Sequence, residues 1–103
     1  MIIYGLNNCD TCRKALKELD GAELRDVRAN PLSKEDISRF LAEFGDQLVN
    51  RKSTTWRALS EAERETGAAD LLEAHPSLMK RPVIDKDGAL YLGWGEETRR
   101  ALL

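Results

Sequence analysis

The chain has 103 residues, 42% of them hydrophobic and 33% charged, which suits one small globular domain with a modest core. Lys and Arg number 16 against 18 Asp and Glu, a net charge of −2, so no basic surplus argues for direct binding of nucleic acid. No apolar stretch reaches signal-peptide or membrane length, and a cytoplasmic protein without membrane contact is expected.

The apolar run from Met1 reads as a buried strand centred on Ile2-Ile3-Tyr4. The helix after it places Cys12, Ala15, Leu16 and Leu19 on one face, with Gly21 as its stop. Glu23 to Arg28 reads as an edge strand, because Leu24 and Val27 are its only large apolar residues. Asn30-Pro31 breaks the chain. Ser33 with Asp36 resembles a capping box, and Ile37, Phe40, Leu41 and Phe44 then form a helical stripe ended by Gly45. Ser53-Thr54-Thr55 caps a helix carrying Trp56 and Leu59, and Ser60 with Glu63 opens another turn. Ala68, Leu71, Leu72 and His75 share a face before Pro76. His75 on this apolar face is read as structural.

Toward the end, Pro82-Val83-Ile84 and Ala89 to Leu92 flank Asp85-Lys86-Asp87-Gly88, a hairpin signal. Glu96 to Leu103 forms a last helix, with Glu96 and Glu97 in its first turn and Arg99 and Arg100 in its last, as the helix dipole favours. The order is β-α-β, helical insertion at about 33–80, β-hairpin and α. It predicts an α/β fold with a thioredoxin-like mixed sheet, as a single domain over residues 1–103. The first two strands run parallel through the helical crossover.

Cys9 and Cys12 are the only cysteines, three residues apart where a strand passes through a short polar loop into a helix. The helix start places N–H groups and partial positive charge at Cys9, which favours its thiolate. Cys12, one turn on, is placed to attack a mixed disulfide formed at Cys9, and the spacing brings the two sulfurs within bonding range. Two alternatives stand beside this redox reading. The cysteines could be inert packing residues, or part of a metal site. His75 is the only further soft ligand, so a metal is not expected.

Arg13 lies four residues after Cys9, near the same helix face. It either reaches an anion bound at Cys9 or is a solvated surface residue. Arg51 sits in the basic, hydroxyl-rich stretch Asn50-Arg51-Lys52-Ser53-Thr54-Thr55-Trp56-Arg57, which by itself reads as a polar loop with caps. Arg81-Pro82 opens a buried strand, where a missing ladder donor implies an edge or a special peptide geometry.

Three blocks together resemble the ArsC/Spx/YffB family of thioredoxin-fold proteins, which includes glutathione-dependent arsenate reductases. They are Tyr4-Gly5 with Cys9-Asp10-Thr11-Cys12-Arg13-Lys14-Ala15, Arg51 with Ser53-Thr54-Thr55-Trp56-Arg57, and His75-Pro76-Ser77-Leu78-Met79-Lys80-Arg81-Pro82-Val83-Ile84. They occur in the family's order and span the chain. The resemblance places the nucleophile at Cys9 and two of the family's three assisting arginines at Arg51 and Arg81. The third would fall in Leu92-Gly93-Trp94-Gly95, which has no arginine and looks instead like the YffB and Spx branches. Pro82 matches the family's cis-proline, facing the cysteine.

The implied catalytic set is Cys9, Cys12, Arg13, Arg51 and Arg81, with Asn8, Pro82 and Trp94 as substrate-binding residues. The implied activity is that of a cytosolic YffB-like thiol–disulfide oxidoreductase. It would use glutathione as co-substrate, hold no cofactor tightly, and act as a monomer on glutathione or a small thiol or disulfide. An Spx-like redox-sensing regulator that binds the RNA polymerase α-subunit is the alternative, and a glutathione-dependent arsenate reductase is the third reading.

Overall fold

Ile2–Gly5 forms β1, the strand from which the cysteine segment departs. In the computed structural model, which describes residues 1–103, β1 pairs in parallel with β2 (Glu23–Asp26) and antiparallel with β3 (Val83–Lys86). β3 pairs antiparallel with β4 (Ala89–Leu92), giving the order β2-β1-β3-β4. Ile3 stands in register with Leu24 on one side and Ile84 on the other. A strand buried on both faces reads as a continuous apolar run, and the consecutive Ile3 and Tyr4 are both buried accordingly.

The parallel pair requires a crossover, supplied by α1 (Asp10–Glu18). Its expected stripe is buried at Cys12 and Ala15 and continues into Leu19 just past its end, while Leu16 is half-buried. Ile3, Ala15, Leu19 and Ile84 form a core, against which Leu24, Tyr91, Trp94 and Leu102 pack. A fully buried isoleucine contributes about 1.5–3 kcal/mol over an exposed one, so Ile3 and Ile84 fix α1 on the sheet. α6 (Glu96–Leu102) closes this unit, which comprises Met1–Asn30 and Arg81–Leu103.

Two expected boundaries move. The second strand ends at Asp26 rather than Arg28, because the Asp26 carboxylate accepts the N–H groups of Arg28 (2.8 Å) and Ala29 (3.2 Å) and turns the chain. The hairpin turn is Asp87-Gly88 alone, with φ of 53° and 91°. Asp85 and Lys86 continue β3 instead. A two-residue turn with positive φ at both positions matches the twist of the flanking strands, and Asp85 Oδ1 accepts the Gly88 N–H at 2.9 Å.

Residues Pro31–Lys80 form a second compact unit. It contains α2 (Lys34–Phe44), α3 (Thr54–Ala58), α4 (Glu61–Arg64) and α5 (Ala68–Ala74). The caps act as expected: Ser33 accepts from Asp36 N–H, Ser53 from Trp56 N–H, and Ser60 with Glu63 makes a complete capping box. Gly45 adopts φ 57° where α2 ends. Two 3₁₀ turns, Gly45–Leu48 and Pro76–Leu78, and an antiparallel bridge between Val49 and Met79 were not expected from the sequence. The bridge is flanked by Asn50 N–H to Leu78 O (2.8 Å) and Lys80 N–H to Leu48 O (2.7 Å).

Candidate redox site

The loop between β1 and α1 is fixed from β2. Asn7 N–H donates to Asp26 Oδ2 (2.9 Å), Arg28 Nη2 donates to Asn8 Oδ1 (2.9 Å), and Cys9 N–H donates to Leu6 O (3.1 Å). Cys9 is the residue preceding α1, with extended backbone, and its side chain does not cap the helix. That leaves its sulfur directed to other partners. Cys9 is half-buried and Cys12 fully buried, and neither is in a disulfide.

The two sulfurs experience opposite fields. Partial burial pushes the Cys9 thiol up. Hydrogen bonds from the Cys12 N–H and the Cys12 thiol, with a hydrogen bond and the charge of Arg81, outweigh it and hold Cys9 below the ordinary thiol range. Burial pushes the Cys12 thiol up to about 12; the Leu6 N–H opposes this, the neighbouring Cys9 sulfur adds to it, and the Arg81 charge opposes it. The shifts favour ionisation of Cys9 before Cys12, with the Cys12 thiol donating a hydrogen bond to the Cys9 sulfur. A thiolate is the nucleophile in disulfide exchange, and a buried neutral thiol is inert until its surroundings change.

Arg81 immediately precedes β3, and its peptide bond to Pro82 is cis. Pro82 is fully buried, and its carbonyl accepts the Gly93 N–H at 2.8 Å. Spacing leaves Arg13 as either a cation near Cys9 or a solvated surface residue. In the structure the guanidinium bonded to the Cys9 sulfur is that of Arg81, while Arg13 is exposed and is tied to Cys9 by its backbone N–H to Cys9 O at 3.0 Å. A residue distant in sequence reaches the sulfur because β3 lies beside β1.

Trp94, expected to bind substrate, is anchored through its indole. Its indole N–H donates to Glu18, whose other oxygen accepts from Arg99 at 2.9 Å. Glu18 ends α1, nine residues beyond Cys9, or about 13 Å along a helix rising 1.5 Å per residue. A partly buried indole needs an acceptor for its N–H, and the acceptor here lies at the far end of the helix from Cys9.

Arg51 belongs to the unit of residues 31–80. There its Nη1 donates to Asp46 O (3.4 Å), and its guanidinium stands over the Trp56 ring at 5.4 Å, as does that of Arg64. Arg64 also donates to the carbonyls of Trp56 and Arg57. His75 Nε2 lies 3.7 Å from Glu63 Oε2, as a structural residue would. No group of three or more His, Cys, Asp or Glu is placed to hold a metal ion.

Sequence reasoning missed two residues at the site. Asp26 fixes the loop from a strand end. Gly5, at the end of β1, stands so close to Cys12 that a Cβ there would lie 2.3 Å from the sulfur. The available signal was a glycine inside an apolar strand just ahead of a cysteine pair, which often marks a close approach.

A model of the ArsC family matches residues 4–102. The chain belongs to the ArsC family. Its fold is the thioredoxin-like mixed α/β arrangement of that family. The solved structure of a YFFB protein superposes with a TM-score of 0.89 at 34% identity, covering 99% of this chain and 97% of that one. A Haemophilus influenzae protein described as uncharacterized is 39% identical over 108 residues, 96% of this chain and 95% of the relative. The global transcriptional regulator Spx of Bacillus subtilis is 29% identical over 111 residues, 98% of this chain and 85% of Spx. The ArsC-family match begins at Tyr4 and so includes the cysteine pair, Arg51 and Arg81.

Proposed function

We propose that this ArsC-family protein is a cytoplasmic thiol–disulfide oxidoreductase that acts as a monomer with glutathione as co-substrate. The observation that carries this reading is the asymmetry of the cysteines: a half-exposed Cys9 below the ordinary thiol range, beside a fully buried Cys12 at about 12.

The chemistry follows from that asymmetry. The Cys9 thiolate attacks one sulfur of a disulfide R–S–S–R, forming Cys9–S–S–R and releasing R–S⁻, which takes up a proton. Cys9 now carries no negative charge, so its part of the upward push on Cys12 disappears; burial still raises the Cys12 thiol, while the Leu6 N–H and the Arg81 charge favour its thiolate. Cys12 attacks the Cys9 sulfur, and its proton passes to the leaving R–S⁻. The Cys9–Cys12 bond forms as this second R–S⁻ leaves. The two cysteines supply the two electrons. Two glutathione molecules restore both thiols and leave as glutathione disulfide. Asn8 and Pro82 flank the entering disulfide, and Arg13 and Arg81 supply positive charge for glutathione carboxylates.

Arsenate reduction ranks lower because the segment after β4 carries no arginine and its Trp94 is bonded to Glu18. The similarity to Bacillus subtilis Spx supports a second reading, in which the same cysteine pair is a redox switch for a regulator that binds the RNA polymerase α-subunit. The deciding experiment measures reduction of a small mixed disulfide at the expense of glutathione, beside capture of purified polymerase. Turnover that disappears in Cys9→Ser, without polymerase binding, is expected. Polymerase binding that changes on oxidation, without turnover, would replace the first reading by the second.

A further inference from the structure

We infer that Gly5 is a positioning residue that seats the Cys12 sulfur for closure onto Cys9. This rests on the thiol–disulfide reading of the site and specifies what makes its second step possible.

The seven glycines of the chain divide by what they do. Gly21, Gly45, Gly88 and Gly93 have positive φ, a conformation that side chains disfavour, and no atom stands within 4 Å of the Cβ each could carry. Gly67 and Gly95 likewise face open space. Gly5 differs on both counts. Its φ is not positive, and it sits in a regular strand in register with Asp26. A Cβ on it would lie 2.3 Å from Cys12 Sγ, 3.2 Å from Cys12 Cβ and 3.7 Å from Leu24 Cδ1. Carbon and its neighbours pack at about 3.5–4.0 Å, so the sulfur occupies the space that any side chain at position 5 would take.

The same sulfur accepts a hydrogen bond from the N–H of the next residue, Leu6, and donates its own S–H to the Cys9 sulfur. Two adjacent residues, the last of β1 and the one after it, therefore grip Cys12, Leu6 by donating a hydrogen bond and Gly5 by lacking a side chain. In the closing step the Cys12 thiolate attacks the Cys9 sulfur of Cys9–S–S–R. The Cys9–Cys12 bond forms, the bond to R breaks, and R–S⁻ leaves and is protonated. Cys12 is oxidised and the R sulfur is reduced. Gly5 has no part in the bonds. It sets where the attacking atom stands.

Gly5→Ala must displace the sulfur by roughly 1 Å or more to restore ordinary contact. A misplacement of that size in a reacting pair costs up to about a hundredfold in rate. The test uses the full chain and oxidised glutathione, with products quenched in acid and read by mass. In Gly5→Ala the Cys9–glutathione adduct is expected to accumulate, because closure slows roughly ten- to a hundredfold. In a Cys12→Ala background, where the sulfur is gone and only the milder 3.2 Å contact to the residue-12 Cβ remains, Gly5→Ala should leave the rate of Cys9 adduct formation unchanged. Closure as fast as in the unaltered chain overturns the inference. An unaltered chain that forms no Cys9 adduct at all refutes the thiol–disulfide reading itself, and the inference with it. If Gly5→Ala prevents folding while Cys12 is present, Cys12→Ala is expected to restore the fold. Failure to restore it would overturn the assignment of the clash to the sulfur.

Discussion

Replacing Arg81 with Gln removes the charge that faces Cys9 while keeping a side chain of similar reach. A hydrogen bond to a charged group contributes about 1.5–3 kcal/mol, and the half-exposure of Cys9 favours the lower end. Each 1.4 kcal/mol is about tenfold, so at a pH well below the Cys9 titration the thiolate population falls roughly tenfold. Each remaining thiolate is more basic and more nucleophilic. With a Brønsted slope of about 0.4–0.5, its intrinsic reactivity rises about threefold. The net effect is roughly threefold slower alkylation of Cys9 at low pH and roughly threefold faster alkylation at pH values where Cys9 is fully ionised. The two pH–rate profiles therefore cross. Iodoacetamide labelling of the Cys9 peptide, followed by mass spectrometry across pH, measures this directly. Profiles that coincide for Arg81→Gln and the unaltered chain would show that Arg81 does not hold the Cys9 thiolate. A shift produced by Arg13→Gln instead would return that role to α1.

Cys12 gives the stability curve an alkaline slope. Its thiol ionises near 9.0 when unfolded and near about 12 when folded, so the native state holds the extra proton between those values. Its contribution is complete below about pH 9 and is lost as pH rises toward 12, and the difference between the unaltered chain and Cys12→Ala in denaturant unfolding should narrow over that window. Asp26→Ala removes the acceptor of the Asn7, Arg28 and Ala29 N–H groups and should cost about 1 kcal/mol, kept small by the carboxylate's exposure. Those hydrogen bonds hold the Asp26 carboxyl below its usual range. The effect should thus be present above the unfolded pKa and vanish as pH falls through the native one; a loss that persists in strong acid would contradict the carboxylate as its cause. Trp94→Phe keeps the ring but loses the bond to Glu18, and is expected to lower the melting temperature slightly while leaving the Cys9–glutathione kinetics unchanged. Slower adduct formation in this variant would return Trp94 to the substrate side.

Features written locally were legible in the sequence. Ser33, Ser53 and Ser60 cap the helices they precede, because a hydroxyl three residues ahead of its N–H partner is a short-range pattern. The β1-α1-β2 order and the edge position of β2 followed from apolar periodicity, and the redox pair from its strand-loop-helix setting. What local pattern alone does not show depends on partners distant in sequence. Arg81 was reached only through the family resemblance, since it meets Cys9 because β3 lies beside β1, and the bond of Trp94 to Glu18, 76 positions away, was not foreseen. The Val49–Met79 bridge has no alternating pattern to announce it. Gly5 was visible as part of the Tyr4-Gly5 motif, but the reason for it is a sulfur seven residues on.

The central claim is that Cys9 and Cys12 form an unequal couple, one attacking and one resolving. Exposure of the reduced protein to oxidised glutathione, with intact mass and peptide mapping of the unaltered chain, Cys9→Ser and Cys12→Ser, tests it most directly. The unaltered chain should lose its two thiol hydrogens as Cys9 and Cys12 join, Cys12→Ser should carry one glutathione on Cys9, and Cys9→Ser should remain unmodified. A glutathione adduct on Cys12, or a Cys9 adduct that persists in the unaltered chain, would contradict the account.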